Sequence, residues 1–535
     1  MVERSERRWV VYFALAVLIL TTLPTLIGFW TQGDQWRFTG FVFGAEDGNS
    51  YIAKMLGGST GDWLFKTPYT AYPQNGVIAF LPYILLGKLA APPAQHDQLV
   101  FLFQLFRWAG GFMVILATYD FASLFIHRVG YRRLATALVT LGGGLGWLAP
   151  LGLSGLWQGR IPLEFYSPET FGFLSVMGLP HLEVARAGLL WGLRCYLTNV
   201  EPFSWKRAVK GGFWWLALGF FQPLTVVIGW AVIGIHALVV IIWKNFRNFR
   251  LQQILRRQPE GKWILTGLVM VLISAPMAIY TVISFSTDPF LRQWTDQNLI
   301  LSPPVSDYML AFLLVLPFVI IGLVDTFRKK DWNAMLLALW VILFPILAYA
   351  PYNLQRRLPE GVWVAMVILG CMVFETRLVK YRKTIMAWVA AGFLATIIFF
   401  TGALFTVMSP SSPLFIPKAE TDAFQYLGRV VAKSDVLLAD FRISNELPAW
   451  IPVRVIVGLG PESIQAASLT PRIDDFFSST GADEARQALL SEFGVKFVVF
   501  GPDEQKVQNW QPDQSTFLKL AYQNASYKVY RVNNP

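Results

Sequence analysis

Residues 10–30 read VVYFALAVLILTTLPTLIGFW, directly after the basic residues Arg4, Arg7 and Arg8. An uncharged apolar run of this kind matches the ~17–25 helical residues that ~30 Å of hydrocarbon demands. Comparable runs recur at 263–285, 309–324 and 386–407. The first run resembles a signal peptide, but it is too long and lacks a small-x-small cleavage site, which makes it a retained anchor. The whole chain has the same character. Over 535 residues it is 54% hydrophobic and only 15% charged, with a mean hydropathy of +0.46, where a soluble chain carries roughly a quarter charged residues. No alternating strand pattern accompanies these runs, so helices rather than a barrel cross the bilayer.

The net charge of +11 does not indicate nucleic-acid binding, because Lys and Arg sit in short clusters between apolar runs, as the positive-inside rule predicts. The only two cysteines, Cys195 and Cys371, lie in apolar segments and offer neither a disulfide framework nor metal-type spacing. Basic clusters at 4–8, 127–133, 206–210, 244–262, 328–330 and 377–383 are assigned to the cytoplasm. An even number of crossings must separate successive clusters. The expected spans are then 9–30, 98–126, 133–155, 185–203, 209–222, 225–243, 263–285, 307–325, 333–350, 361–376 and 384–407. The reading is an α-helical polytopic protein of the inner (plasma) membrane with about eleven spans, its N-terminus cytoplasmic. The short run 77–91, which contains Pro82, breaks this parity if counted and is read as an interfacial or re-entrant helix.

This division leaves a transmembrane region, 1–407, with a long first outer loop at 31–97. A Pro/Ser linker follows at 408–418, and 419–535 forms a small exported α/β domain. In that tail, 422–431 and 482–493 read as helices, the latter closed by Gly494. The stretches 435–440, 453–457 and 495–500 read as buried strands, and 527–532 as an edge strand. Ser444 is the expected cap of a helix start.

The residues suited to chemistry gather on the outer side. Residues 44–51, GAEDGNSY, place the adjacent carboxylates Glu46 and Asp47 just after the first span, with Tyr51 following. A carboxylate near the bilayer surface is suited to take a proton from an acceptor hydroxyl; the structural alternative is that it caps the helix that follows. The second outer connection, 156–184, contains Glu164, Glu169, His181 and Glu183. His181 is a candidate to bind a sugar or phosphate, or to hold a divalent metal with Glu183 or Asp47. In the fourth, 351–361, PYNLQRRLPEG sets Gln355 beside the consecutive arginines Arg356 and Arg357. Guanidinium forks match phosphate oxygens; the alternative is an anchor that snorkels to lipid headgroups. Arg107, Arg186 and Arg194 are costly in lipid and should face the bundle interior. Asp288 and Asp296 read as solvated.

An acidic residue in a long first outer loop, a following tyrosine, the Pro/Tyr/Gly-rich stretch 68–76 and an exported α/β tail together resemble the GT-C type of polytopic glycosyltransferase. The resemblance implies a sugar donor carried on polyprenyl phosphate, with the acceptor on the non-cytoplasmic side and inversion at the anomeric carbon. It implies Asp47 as the catalytic acid residue, with Glu46 as the fallback. It also implies that Arg356 and Arg357 bind the carrier phosphate, with Gln355, Tyr51 and His181 at the substrate. A divalent metal, Mg or Mn, is a candidate cofactor, with Asp47, His181 and Glu183 as its ligands. The spelling here is Glu-Asp rather than the common D-x-D or D-D. The competing class is a non-catalytic membrane subunit or a transporter of lipid-linked glycans. A transporter should show paired broken helices near the midplane, and the polar residues instead collect at the outer edge.

Overall fold

A computed structural model describes residues 2–200, 203–245, 259–506 and 510–533. Most of the expected basic cluster 244–262 lies outside these residues, as do 201 and 202 near the end of the expected span 185–203. The chain forms two compact units. The first comprises Met1–Leu23, Phe106–Ile283 and Leu299–Ala403; the second comprises Pro24–Leu105, Ser284–Asn298 and Leu404–Pro535. This division differs from the linear partition at 407/408, because the second unit gathers residues 24–105 and 284–298 around the tail.

The first unit is helical. Among the described residues, six helices are long and apolar enough to cross a bilayer: Arg4–Thr31, Gln95–Ala122, Pro223–Trp243, Gly261–Thr287, Gln355–Thr376 and Ile385–Met408. Two bent pairs raise the number to as many as eight. Val129–Leu141 and Gly146–Trp157 meet at 51°, and Val305–Phe312 and Leu316–Lys329 at 86°. The second break falls just before Pro317, which lacks an N–H and favours a helix start. The other expected spans coincide with helices Pro180–Thr198, Trp205–Gly219 and Trp332–Ala348. The 15-residue helix Trp205–Gly219 reaches about 22 Å, short of the hydrocarbon thickness. The expected short helix in 77–91 is Leu81–Gly87.

The second unit is built on a five-stranded sheet. Its strands are β3 (Val436–Leu438), β4 (Arg454–Val455), β5 (Val495–Phe500), β6 (Leu518–Gln523) and β7 (Lys528–Val532), in the order β4-β3-β5-β7-β6. Strand β3 runs parallel to both β4 and β5, and β7 pairs antiparallel with β5 and β6. Successive residues of a strand point to opposite faces, and both faces are covered. Leu437, Phe497, Val499 and Val529 pack with helices Lys418–Val430 and Phe441–Trp450. Val436, Leu438, Val498 and Tyr530 pack with helices Ala466–Phe477 and Asp483–Phe493. The expected edge strand near 527–532 is interior, and the edge on that side of the sheet is β6, which the sequence reading did not contain. The expected cap is also corrected. Asp440 caps helix Phe441–Trp450 by accepting from the Ile443 N–H at 2.8 Å, and Ser444 lies inside that helix.

Two elements from residues 31–97 complete this unit. A short ribbon pairs β1 (Trp36–Phe38) antiparallel with β2 (Phe415–Pro417). Helix Ala45–Ser59 buries Ala45, Gly48, Asn49, Ile52, Ala53, Met55 and Leu56 along one face, the 3–4 spacing of an amphipathic helix. It meets helix Leu81–Gly87 at glycines. A Cβ on Gly58 would stand 2.0 Å from the Ile84 carbonyl oxygen, and one on Gly87 1.8 Å from that of Met55.

Candidate functional site

In the second unit, the acid pair stands at the start of helix Ala45–Ser59. The N-cap is Gly44, in the left-handed region at φ 61° and with no side-chain cap, a conformation that favours glycine. Glu46 and Asp47 follow this N-cap rather than forming it. They occupy its first turn and are exposed, where carboxylates complement the positive end of the helix dipole. Tyr51, one turn on, stacks on Tyr83 with ring centroids 4.6 Å apart, and with Phe103 at 6.0 Å.

Behind the acids the helix is fixed by polar contacts to the tail. Asn49 Nδ2 donates to Asn445 Oδ1 at 2.9 Å, and Asn445 Nδ2 to the Glu46 carbonyl at 3.4 Å. The Tyr69 hydroxyl donates to the Asn445 carbonyl at 3.0 Å. Burial, followed by the charges of Glu462 and Asp47, holds this phenol well above its ordinary value, so it stays a neutral donor. Lys54 Nζ, wholly buried, lies 2.7 Å from Glu462 Oε1 and also donates to Ser50 Oγ. It sits 4.5 Å from the ring centre of Phe80, with Phe65 and Tyr51 just beyond. Thr67 Oγ1 donates to the second Glu462 oxygen at 2.5 Å. Sequence reasoning missed Lys54, Glu462 and Asn445. A signal was present in Lys54, a lone cation among the core-facing positions 52, 53, 55 and 56.

In the first unit, residues of three connections between helices, 156–184, 286–306 and 351–360, are stitched together. The Ile300 N–H donates to the Asn353 carbonyl at 2.7 Å, and the Arg356 N–H to the Ile300 carbonyl at 3.1 Å. Gln355 Oε1 accepts from the Ser302 N–H at 3.2 Å, which makes Gln355 a staple of this loop. Arg160 forks onto Asp307 at 2.8 and 3.0 Å. Arg356 and Arg357 lie on the short helix Gln355–Arg357, and both are half-buried. The Arg356 guanidinium lies 4.9 Å from the ring centre of Tyr166, a cation–π distance. Arg357 Nε lies 3.4 Å from a Glu169 carboxylate oxygen.

Beneath this loop, Arg186 is buried and uses its fork in full. It donates to Glu360 Oε1 at 2.6 Å, to the Pro168 carbonyl at 2.8 Å and to that of Glu169 at 2.9 Å. Arg107 is likewise buried, donating to Thr21, Thr22 and the Val176 carbonyl, and Arg194 donates to the Asp120 carbonyl at 2.8 Å. His181 is half-buried in the first turn of helix Pro180–Thr198. Glu183 is fully buried and accepts from Ser175 Oγ at 2.7 Å. The charges of Arg186 and Arg107 bear on it, and cations there oppose a metal ion. Among the described residues, no three His, Cys, Asp or Glu side chains gather as a metal site. Of the candidate ligands, His181 and Glu183 belong to the first unit and Asp47 to the second, and no chemical step is assigned to a metal. Asp288 is not merely solvated: it caps helix Pro289–Gln297 and accepts from Asn75 at 3.0 Å.

No family model matches the sequence, and no curated protein matches it. Solved structures do. The oligosaccharyltransferase of Archaeoglobus fulgidus in its apo form matches with a TM-score of 0.54 at 12% identity, over 92% of this chain and 70% of the other. The same enzyme in complex with Zn and sulfate matches with a TM-score of 0.50 at 11% identity, over 90% and 68%. The arabinofuranosyltransferase AftD from mycobacteria matches with a TM-score of 0.55 at 14% identity, over 99% of this chain but 42% of its own length. These are GT-C glycosyltransferases, and at such identities the likeness shows the fold. The chain is a membrane protein with a GT-C-type fold.

Proposed function

We propose that this chain is a membrane glycosyltransferase that moves a sugar from a polyprenyl-phosphate donor to an acceptor on the non-cytoplasmic side. The observation that carries the reading is the pair of exposed carboxylates, Glu46 and Asp47, at a glycine-capped helix start in a GT-C-type fold. Two glycosyl-transferring enzymes among its structural neighbours support it. The membrane path that goes with the reading has about eleven crossings. The N-terminus is cytoplasmic, the linker is 408–418, and residues 419–535 are exported.

In this mechanism Asp47, or Glu46 in its place, takes the proton of the acceptor hydroxyl as its oxygen attacks the anomeric carbon. The bond from that carbon to the phosphate oxygen breaks on the opposite face, which inverts the configuration. Its electron pair leaves with the polyprenyl phosphate. Arg356, held over Tyr166, meets the growing negative charge, with Arg357 beside it and Gln355 holding the loop. His181 and Tyr51 are assigned to substrate binding.

The test is purified full-length protein incubated with a panel of labelled polyprenyl-phosphate sugars. Asp47→Asn should lower kcat by ~10²–10⁴, the usual contribution of a general base; full activity in that variant removes Asp47 from the chemistry. Transfer from none of the donors favours a non-catalytic subunit. Labelling that finds residues 351–360 on the cytoplasmic side separates the arginines from the chemistry altogether.

A further inference from the structure

Nothing in the chemistry above assigns the tail a part in it. The helix that begins with Glu46 and Asp47 nevertheless depends on the tail for its placement. Its N-cap, Gly44, has no side chain to fix the first turn, although a side-chain cap ordinarily does this. The tail supplies fixation. Asn445, 2% exposed on the tail helix Phe441–Trp450, accepts from Asn49 and donates to the carbonyl of Glu46, the residue before Asp47. Farther along the helix, Glu462 of the tail takes Lys54 and, through it, Ser50.

These are directional contacts. An apolar contact such as that of Ala53 with the tail core resists separation but leaves rotation about the helix axis cheap. A paired amide and an ion pair, spaced along one helix, fix rotation and register together. The carboxylates of the first turn project from that axis, so a small rotation displaces them most. A shift of 1 Å in a catalytic group can cost ~10²-fold in rate.

We propose that Asn445 and Glu462 are positioning residues, tail side chains that set where the Glu46–Asp47 pair stands. The proposal rests on the functional reading above for what the acid does, and not for how it is held. Asn445→Asp is nearly isosteric and keeps the acceptor for Asn49, but it turns the donor to Glu46 into a second oxygen. In full-length protein it should lower kcat by ~10-fold or more, leave KM for the polyprenyl-phosphate sugar within about twofold, and speed hydrogen exchange of the amides at 45–50. Should that variant not fold, Asn49→Ala serves. Alanine favours the helix, so a role confined to helix stability predicts slower exchange at 45–50, whereas positioning predicts faster exchange and lower kcat. Unchanged kcat with unchanged exchange, or a rise in KM alone, overturns the proposal. Asp47→Asn is the parallel control. If it keeps full activity, the reading of the acid fails, while the exchange result still decides whether the tail holds this helix.

Discussion

Arg186 in the first unit and Lys54 in the second are both buried cations, and each binds a glutamate from far along the chain, Glu360 at 2.6 Å and Glu462 at 2.7 Å. They are held differently. Arg186 spends its planar fork on a carboxylate and two backbone carbonyls, so its orientation is fixed by several acceptors at once. Lys54 has a carboxylate and a hydroxyl, and its remaining surroundings are the rings of Phe80, Phe65 and Tyr51. The arginine joins loop segments that carry polar backbone; the lysine joins a helix to an otherwise apolar interior. The lesson is that a cation's side-chain type follows from what surrounds it, so the two are not interchangeable.

The largest effect should come from Arg186→Met, which strands Glu360 and two carbonyls. A loss of about 3–5 kcal/mol is expected for a broken buried pair, seen as a lower Tm of the purified protein. Arg186→Lys tests the fork itself and should still lose about 1.5–3 kcal/mol. Lys54→Met should cost about 3 kcal/mol, since Glu462 keeps only hydroxyl contacts, to Thr67 and, at 3.5 Å, to Ser50. The double change Lys54→Met/Glu462→Leu should come back to within about 1 kcal/mol of the parent; if it does not, the pair is more than an exchangeable staple. Gly58→Ala probes the seat of the helix carrying Lys54. Its methyl would meet the Ile84 carbonyl, and overpacking of this kind costs about 1–3 kcal/mol.

The last prediction concerns a buried carboxylate met by backbone rather than by a cation. Glu504 accepts from the N–H groups of Asp440 and Gly501. Burial and the neighbouring Asp440 charge push it from its ordinary 4.5 up to about 8. Between those values the folded chain keeps a proton that the unfolded chain releases, so this group's contribution is full below 4.5 and is lost as pH rises toward 8. In Glu504→Gln the decline in Tm from pH 5 to pH 8 should be shallower. An identical decline would show that Glu504 is ionised in the fold.

The membrane class is legible in residues 10–30 alone, and Arg107, Arg186 and Arg194 announce interior partners because lipid does not tolerate them. The tail helices emerge from their periodicity, and β5 from its run of Val and Phe. β6 does not, because LKLAYQ has a mostly exposed pattern and its pairing with β7 comes from tertiary contact. For the same reason the linear sequence cannot reveal that residues 24–105 condense with the tail. Asn49 and Asn445 are ordinary amides until the fold sets them 2.9 Å apart. The bend before Pro317 is foreshadowed by the proline, but its angle is set by packing.

The ribbon of β1 and β2 has a consequence for biogenesis. Trp36 pairs with Pro417, and Thr31 donates to the carbonyl of Val407, 376 positions later. A ribosome emits the N-terminal strand long before its partner exists, so β1 waits unpaired while the intervening helices are inserted. The acid-bearing loop then matures only after the last apolar helix has been made, and a nascent chain cut short of residue 415 leaves that loop without its partner strand.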